Sequence, residues 1–155
     1  MSKINEIEMP NFKPNEFPED PNLYAHKDML ISLQETRTRL NKPIIISRAN
    51  GSLARFGDGS SSSRHYAMNR YSDAIDFFPD CDPFEAFVVI SSIGLWGGIG
   101  IYFDTELKGL KKVMFHCDKR RQPLIWFRNN GKYYYPYMDL FYQELYSRFS
   151  DYYNK

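Results

Sequence analysis

The chain has 155 residues, a length that suits one domain, and its many Tyr, Phe, Ile and Leu side chains can bury a sizeable core. Lys plus Arg number 20 against 19 Asp plus Glu, so no strong overall field draws the protein to nucleic acid or an anionic membrane, and any ligand preference must come from a local site. Two cysteines, Cys81 and Cys117, are too few for a disulfide framework.

The first twenty residues are polar and proline-rich, without the apolar core of a signal peptide, and residues 86–95 are far shorter than the ~20 apolar residues of a membrane span. The expectation is a soluble monomer made in the cytoplasm, with no membrane insertion and no nucleic-acid partner. Residues 1–21 read as an extended arm, because four prolines interrupt them and each disfavours helix at the residue before. From Asn22, the positions Leu23, Met29, Leu30, Leu33 and Leu40 recur at roughly helical spacing, and Asn41-Lys42-Pro43 stops the pattern, which predicts an amphipathic helix.

Ile44-Ile45-Ile46 is a β-branched run that suits a short buried strand. Residues 47–63 hold three Gly and six Ser and form a long loop, a feature usually tied to function or disorder. Residues 74–78 read as an apolar strand closed by Pro79, and residues 83–95 as a helix with Pro83 in its first turn and Gly94 near its end. Residues 97–103 and 112–116 predict two strands joined around Lys108-Gly109. Residues 124–127 and 132–135 predict a hairpin around Asn129-Asn130-Gly131. The tail, 138–153, returns to helical spacing with Leu140, Phe141, Leu145, Phe149 and Tyr152 on one side. Together these give an α+β domain over 22–155, a mostly antiparallel sheet with flanking helices.

Of three histidines, His65 and His116 lie in segments that can approach carboxylates, in Ser63-Arg64-His65 with Ala74-Ile75-Asp76, and in His116-Cys117-Asp118. A catalytic zinc site takes three protein ligands from imidazole and carboxylate and keeps a fourth position open, and His65, Asp76 and His116 make up such a set. No H-E-x-x-H helix is present, and the bland alternative makes His65 a solvated loop residue, Asp76 a cap and His116 a hydrogen-bonded strand histidine. His26 has no acidic or histidine partner at ligand spacing. The tyrosines, including Tyr133-Tyr134-Tyr135, read as core and sheet residues in the absence of a basic patch.

Leu33 through Arg37, Leu40, Pro43 and Ile44-Ile45-Ile46-Ser47 resemble the pattern L-x-x-L-R-x-x-L-x-x-P-I-x-I-x-S. They are followed by the S-x-H and A-x-D elements, by Gly97-Gly98-Ile99-Gly100-Ile101-Tyr102, by His116-Cys117-Asp118-Lys119-Arg120 and by Trp126. In this order the segments resemble the M15 zinc peptidases of the D-Ala-D-Ala carboxypeptidase and murein endopeptidase type, in particular their phage-like branch. The resemblance implies the M15 peptidase fold, Zn²⁺ held by His65, Asp76 and His116, and hydrolysis of an amide bond in peptidoglycan stem peptides or cross-links. It also implies action on the bacterial cell wall, as a phage lysis or entry enzyme.

Two departures bear on the site. Ten residues separate His65 from Asp76 where the family has six, so Asp73, with seven residues between it and His65, is a rival ligand; Asp76 is preferred for its apolar strand context. After Ile46 the chain reads Ser47-Arg48-Ala49-Asn50 where the family often has S-G-Y-R, so Arg48, Arg55 and Arg64, with Ser63, all stand as candidates for binding a substrate carboxylate. Several branches place a carboxylate three residues before the last ligand histidine, a place taken here by Val113. Asp118, two residues beyond His116 and on the same strand face, is then either the general base or the carboxylate that orients a ligand imidazole. The alternative function is a zinc-stabilised wall-binding module of the same fold without turnover.

Overall fold

The computed structural model describes residues 9–153; the first eight residues of the expected arm lie outside the described residues. The helices are α1 (Pro21–Tyr24), α2 (Lys27–Leu40), α3 (Pro83–Ser92) and α4 (Phe141–Tyr153), and the strands are β1 (Ile44–Ile46), β2 (Ala74–Pro79), β3 (Gly98–Leu107), β4 (Leu110–Asp118), β5 (Leu124–Asn129) and β6 (Lys132–Tyr134). The six strands form one sheet in the order β1-β2-β4-β3-β5-β6. Every neighbouring pair is antiparallel except β3 and β5. The expected α+β architecture with a mostly antiparallel sheet is therefore present.

Alternation along the strands divides the sheet into two chemically different faces. Ile75 and Phe77, Ile99, Ile101 and Phe103, Val113, Phe115 and Cys117, and Phe127 are buried in one core cluster with residues from all the longer helices. On this face Phe149 of α4 lies 5.1 Å from Phe103 and 5.5 Å from Phe87, and Phe141 lies 5.4 Å from Phe127. The opposite face carries Asp76, His116 and Trp126, aligned across the strands by the pairings Asp76 with His116, His116 with Gly100, and Gly100 with Trp126.

Both hairpin turns follow from their sequences. Lys108-Gly109 and Asn130-Gly131 each place two successive residues at positive φ, the backbone shape that matches the right-handed twist of the flanking strands. The helix predicted from Asn22 breaks at Ala25-His26, because Ser72 intervenes: its N–H donates to Tyr24 and its carbonyl accepts from His26. His26 then caps α2, its Nδ1 accepting from the Asp28 N–H at 3.1 Å. The described part of the N-terminal segment is packed onto the domain, with Phe12 and Phe17 buried in the core. Its Glu19 carboxylate accepts from the backbone N–H groups of Leu53 and Ala54. Among the described residues no helix is long and apolar enough to cross a membrane.

β4 ends and β5 begins beside the entry to β3, so the connection through 119–123 passes directly over Gly97. The Gly97 N–H donates to the Asp118 carbonyl, and its own carbonyl accepts from Leu124. A Cβ at this position would overlap the backbone carbonyl of Arg120. Gly97→Ala should therefore cost at least about 2 kcal/mol of unfolding free energy in urea titration, since backbone rather than a flexible side chain must give way.

Candidate metal centre

Asp76 and His116 face each other across β2 and β4, in the middle of the polar sheet face. His65 arrives from the long loop, and the loop is tied down around it. The Arg55 N–H donates to the His65 carbonyl, the Ala67 N–H donates to the Arg55 carbonyl, and the Ser63 hydroxyl accepts from the His65 N–H. The residue expected to be solvated in the bland reading is only 2% exposed.

The three side chains converge. His65 Nε2 lies 3.1 Å from His116 Nδ1 and 3.2 Å from Asp76 Oδ1, and His116 Nδ1 lies 3.0 Å from the same oxygen. Donors held at about 2.0–2.1 Å on a tetrahedral metal ion stand about 3.3 Å apart, so the triangle is close to the size a metal ion requires.

Hydrogen bonds on the far side of each ring settle which nitrogens face inward. His65 Nδ1 lies 3.2 Å from the Leu53 carbonyl, which can only accept, so Nδ1 carries the proton and Nε2 the lone pair. His116 Nε2 lies 2.9 Å from Asp118 Oδ2, which likewise leaves Nδ1 with the lone pair. Two imidazole lone pairs and a carboxylate oxygen then point at one another with no proton between them, an arrangement that only a central positive charge stabilises. His65, Asp76 and His116 fit a metal ion.

Electrostatics agree with this. Burial works against a charged His116, but hydrogen bonds to Asp118 and Asp76 and the charges of both carboxylates outweigh it and raise its pKa to about 9. Burial also opposes ionised Asp76, yet the facing His65 and His116 hold its carboxyl well below the usual range. Without a metal ion, a proton on His116 takes the place of the central charge.

Asp118 is placed differently from a general base. It is fully buried behind His116 and does not line the cavity. Its Oδ2 accepts from His116 and from Arg120 Nη2 at 2.6 Å, and Oδ1 accepts from the backbone and side-chain nitrogens of Arg120. Burial alone would raise its pKa, but His116 and Arg120 hold it well below the ordinary range. Its hydrogen bonds go to the far nitrogen of the His116 ring and to Arg120, which is the placement of a carboxylate that orients a ligand imidazole. Gly98 makes this possible, because a Cβ there would overlap the Asp118 carboxylate and the Arg120 guanidinium.

The open side of the donor triangle faces a cavity of about 420 Å³. Arg55, Ser63 and Arg64 line it as expected, but Arg48 does not: its guanidinium donates to the carbonyls of Asn15 and Phe17 and fastens the N-terminal segment. Arg64 is paired with Asp73, which accounts for the rival ligand and leaves Asp76 alone in the triangle.

Tyr102, Met114, Arg120, Trp126, Arg128 and Tyr133 also line the cavity, and they were not read as site residues from the sequence. The signal was period two: Tyr102 follows Gly98 and Gly100, and Arg128 follows Trp126, all on the face fixed by His116. Trp126 lies 5.3 Å from the His116 ring, above Gly100, where a Cβ would come within 2.6 Å of the indole.

Comparison with known proteins returns no match: no family model, no curated protein and no solved structure is similar to this chain. The three residues are therefore a candidate metal centre on geometry alone.

Two measurements check it. By equilibrium dialysis, Asp76→Ala should lose stoichiometric zinc and Asp73→Ala should retain it, while Asp118→Asn should weaken zinc by about 10–100-fold. Because Asp118 and Asp76 raise the His116 pKa to about 9 in the metal-free protein, a cation held by its Nδ1 has to displace a proton at pH 7. Calorimetric titration at pH 7 in buffers of different ionisation enthalpy should therefore register proton release, with apparent affinity rising towards pH 9 and falling in acid.

Proposed function

We propose that this chain is a zinc-dependent peptidase of the M15 type, acting at the bacterial cell wall on an amide bond of peptidoglycan stem peptides or cross-links. One observation carries the reading: two imidazoles and one carboxylate converge with their lone pairs inward, and their open side faces a cavity rather than a fourth protein ligand. That is the pattern of a catalytic rather than a closed structural site. The ordered resemblance of residues 33–126 to the M15 pattern supplies the substrate class.

A zinc ion bound there contributes Lewis acidity towards a carbonyl oxygen and towards water. The chain's own residues do the rest. Leu53 and Asp118 hold the two imidazoles in the orientation that presents their lone pairs. Arg55 and Arg64 at the rim favour a substrate with negative charge, as peptides with free carboxylates have. Burial is the largest influence on Tyr102 and raises its pKa to about 12, so its hydroxyl stays protonated near neutrality and can donate a hydrogen bond into the cavity.

One observation favours the second reading, a zinc-stabilised wall-binding module without turnover. Among the described residues lining the cavity the only carboxylate is Asp76, and it is a member of the donor triangle. A peptidase therefore has to move the proton without a separate acidic side chain.

The two readings part in one experiment. Purified protein loaded with zinc is incubated with defined muropeptides and the products are weighed by mass spectrometry. Peptide cleavage at one bond type, abolished together with zinc stoichiometry in His116→Ala, is the expected result. Zinc binding without any cleavage would establish the binding module instead.

A further inference from the structure

Arg128 lines the same cavity as the donor triangle, from a strand two places across the sheet from that of His116. Its Cα is two strand spacings of about 4.8 Å and one two-residue step along the sheet from that of His116, a separation of about 12 Å. The pairings that place it are His116 with Gly100, Gly100 with Trp126, and Tyr102 with Arg128.

Its guanidinium is held on three sides. It lies 4.7 Å from the centre of the Tyr102 ring and 5.8 Å from that of Tyr133. Its Nε donates to both oxygens of Asp104, at 2.9 and 3.1 Å. Asp104 is fixed in turn by the Gly131 N–H at 2.7 Å, at the β5–β6 turn. Two features of this arrangement matter for binding. The aromatic contacts remove most of the rotamer freedom that a long side chain loses when it engages a ligand. Asp104 is engaged through Nε, which leaves the terminal amino groups, the pair best shaped for a planar anion, unspent on this carboxylate.

The other cavity arginines are disposed differently. Arg120 is committed to Asp118 through both Nε and Nη2, and Arg64 to Asp73 in the same two-pronged way. Arg55 donates through Nε to the Gly51 carbonyl and is paired with no carboxylate among the described residues. Of the four, Arg128 is the one whose Nε is fixed by a carboxylate while its guanidinium packs against two tyrosine rings.

We infer that Arg128, packed against both Tyr102 and Tyr133, is the anchor for a carboxylate on a peptide ligand whose backbone crosses the cavity from the candidate metal centre. This rests on the peptidase reading for the nature of the ligand, and it adds a length. At about 3.3 Å per extended residue, the ~12 Å between the two Cα atoms equals the length of three or four residues, which sets the scale of the ligand. The carboxylate bound here is then not the one next to a scissile bond at the metal but one two or three residues away. A site of this kind selects a branched or extended peptide carrying a remote acid, and it disfavours a dipeptide.

The test measures binding, so it stands apart from turnover. Zinc-loaded protein is titrated by calorimetry with N-acetyl-trialanine as the free acid and as its carboxamide. The free acid should bind about 10–100-fold more tightly, the range expected of hydrogen bonds to a charged group. Arg128→Gln should erase that difference without changing zinc stoichiometry, and Arg128→Lys, which keeps the charge but not the fork, should restore only part of it. Equal binding of acid and amide by the unaltered protein, failure of either to bind, or an unchanged preference in Arg128→Gln would each overturn the inference. The peptidase reading fails separately: a protein that prefers the acid through Arg128 but cleaves no muropeptide keeps the anchor and loses the enzyme.

Discussion

Three groups that each offer a lone pair cannot share a dry pocket unless something positive sits among them. That constraint organises the polar face of the sheet. Asp76, His65 and His116 approach within 3.2 Å of one another, and each ring is prevented from turning its N–H inward by an acceptor on its far side. Had Asp118 been absent, His116 could flip its tautomer and close the cluster with an internal hydrogen bond. The buried Asp118–Arg120 pair blocks that relaxation, and Gly98 makes the room for it. The cost of burying an ion pair behind the ring is offset by the orientation it imposes in front.

Much of this was legible in the residues. Short apolar runs identified β2, β3, β4 and β5, and the glycine at each hairpin turn marked the two positive-φ pairs. The ligand set was legible because Asp76 sits in an apolar strand and Asp73 does not. Two kinds of information were missing. Cross-strand register lies in pairing, not in any local stretch, so the alignment that brings Tyr102, Trp126 and Arg128 to the face of His116 could not be read from Gly100 or Trp126 alone. Side-chain destinations in a loop are equally non-local. Arg48, Arg55 and Arg64 looked equivalent, yet one fastens the N-terminal segment, one reaches the Gly51 carbonyl and one pairs with Asp73.

The Asp118 expectation shows the same limit in finer form. Two residues beyond His116 on a strand does mean the same face, and that part held. Which way the carboxylate then leans depends on Arg120 and on the bare backbone of Gly98, neither of which is visible from strand periodicity. The extra residues between His65 and Asp76 likewise have a use. They are stitched to Arg55 on one side and, through Ser72, to the break between α1 and α2 on the other, so the longer segment is anchored rather than loose.

The Glu19 carboxylate grips the backbone of Leu53 and Ala54, and the Leu53 carbonyl is what aligns His65. The N-terminal segment and the metal centre are thus joined by one peptide unit. Equilibria joined in this way are reciprocal: whatever the docked segment adds to ion affinity, the ion returns to docking by the same factor. Protection of residues 9–20 against a protease thereby becomes a gauge of ion occupancy, readable without any substrate.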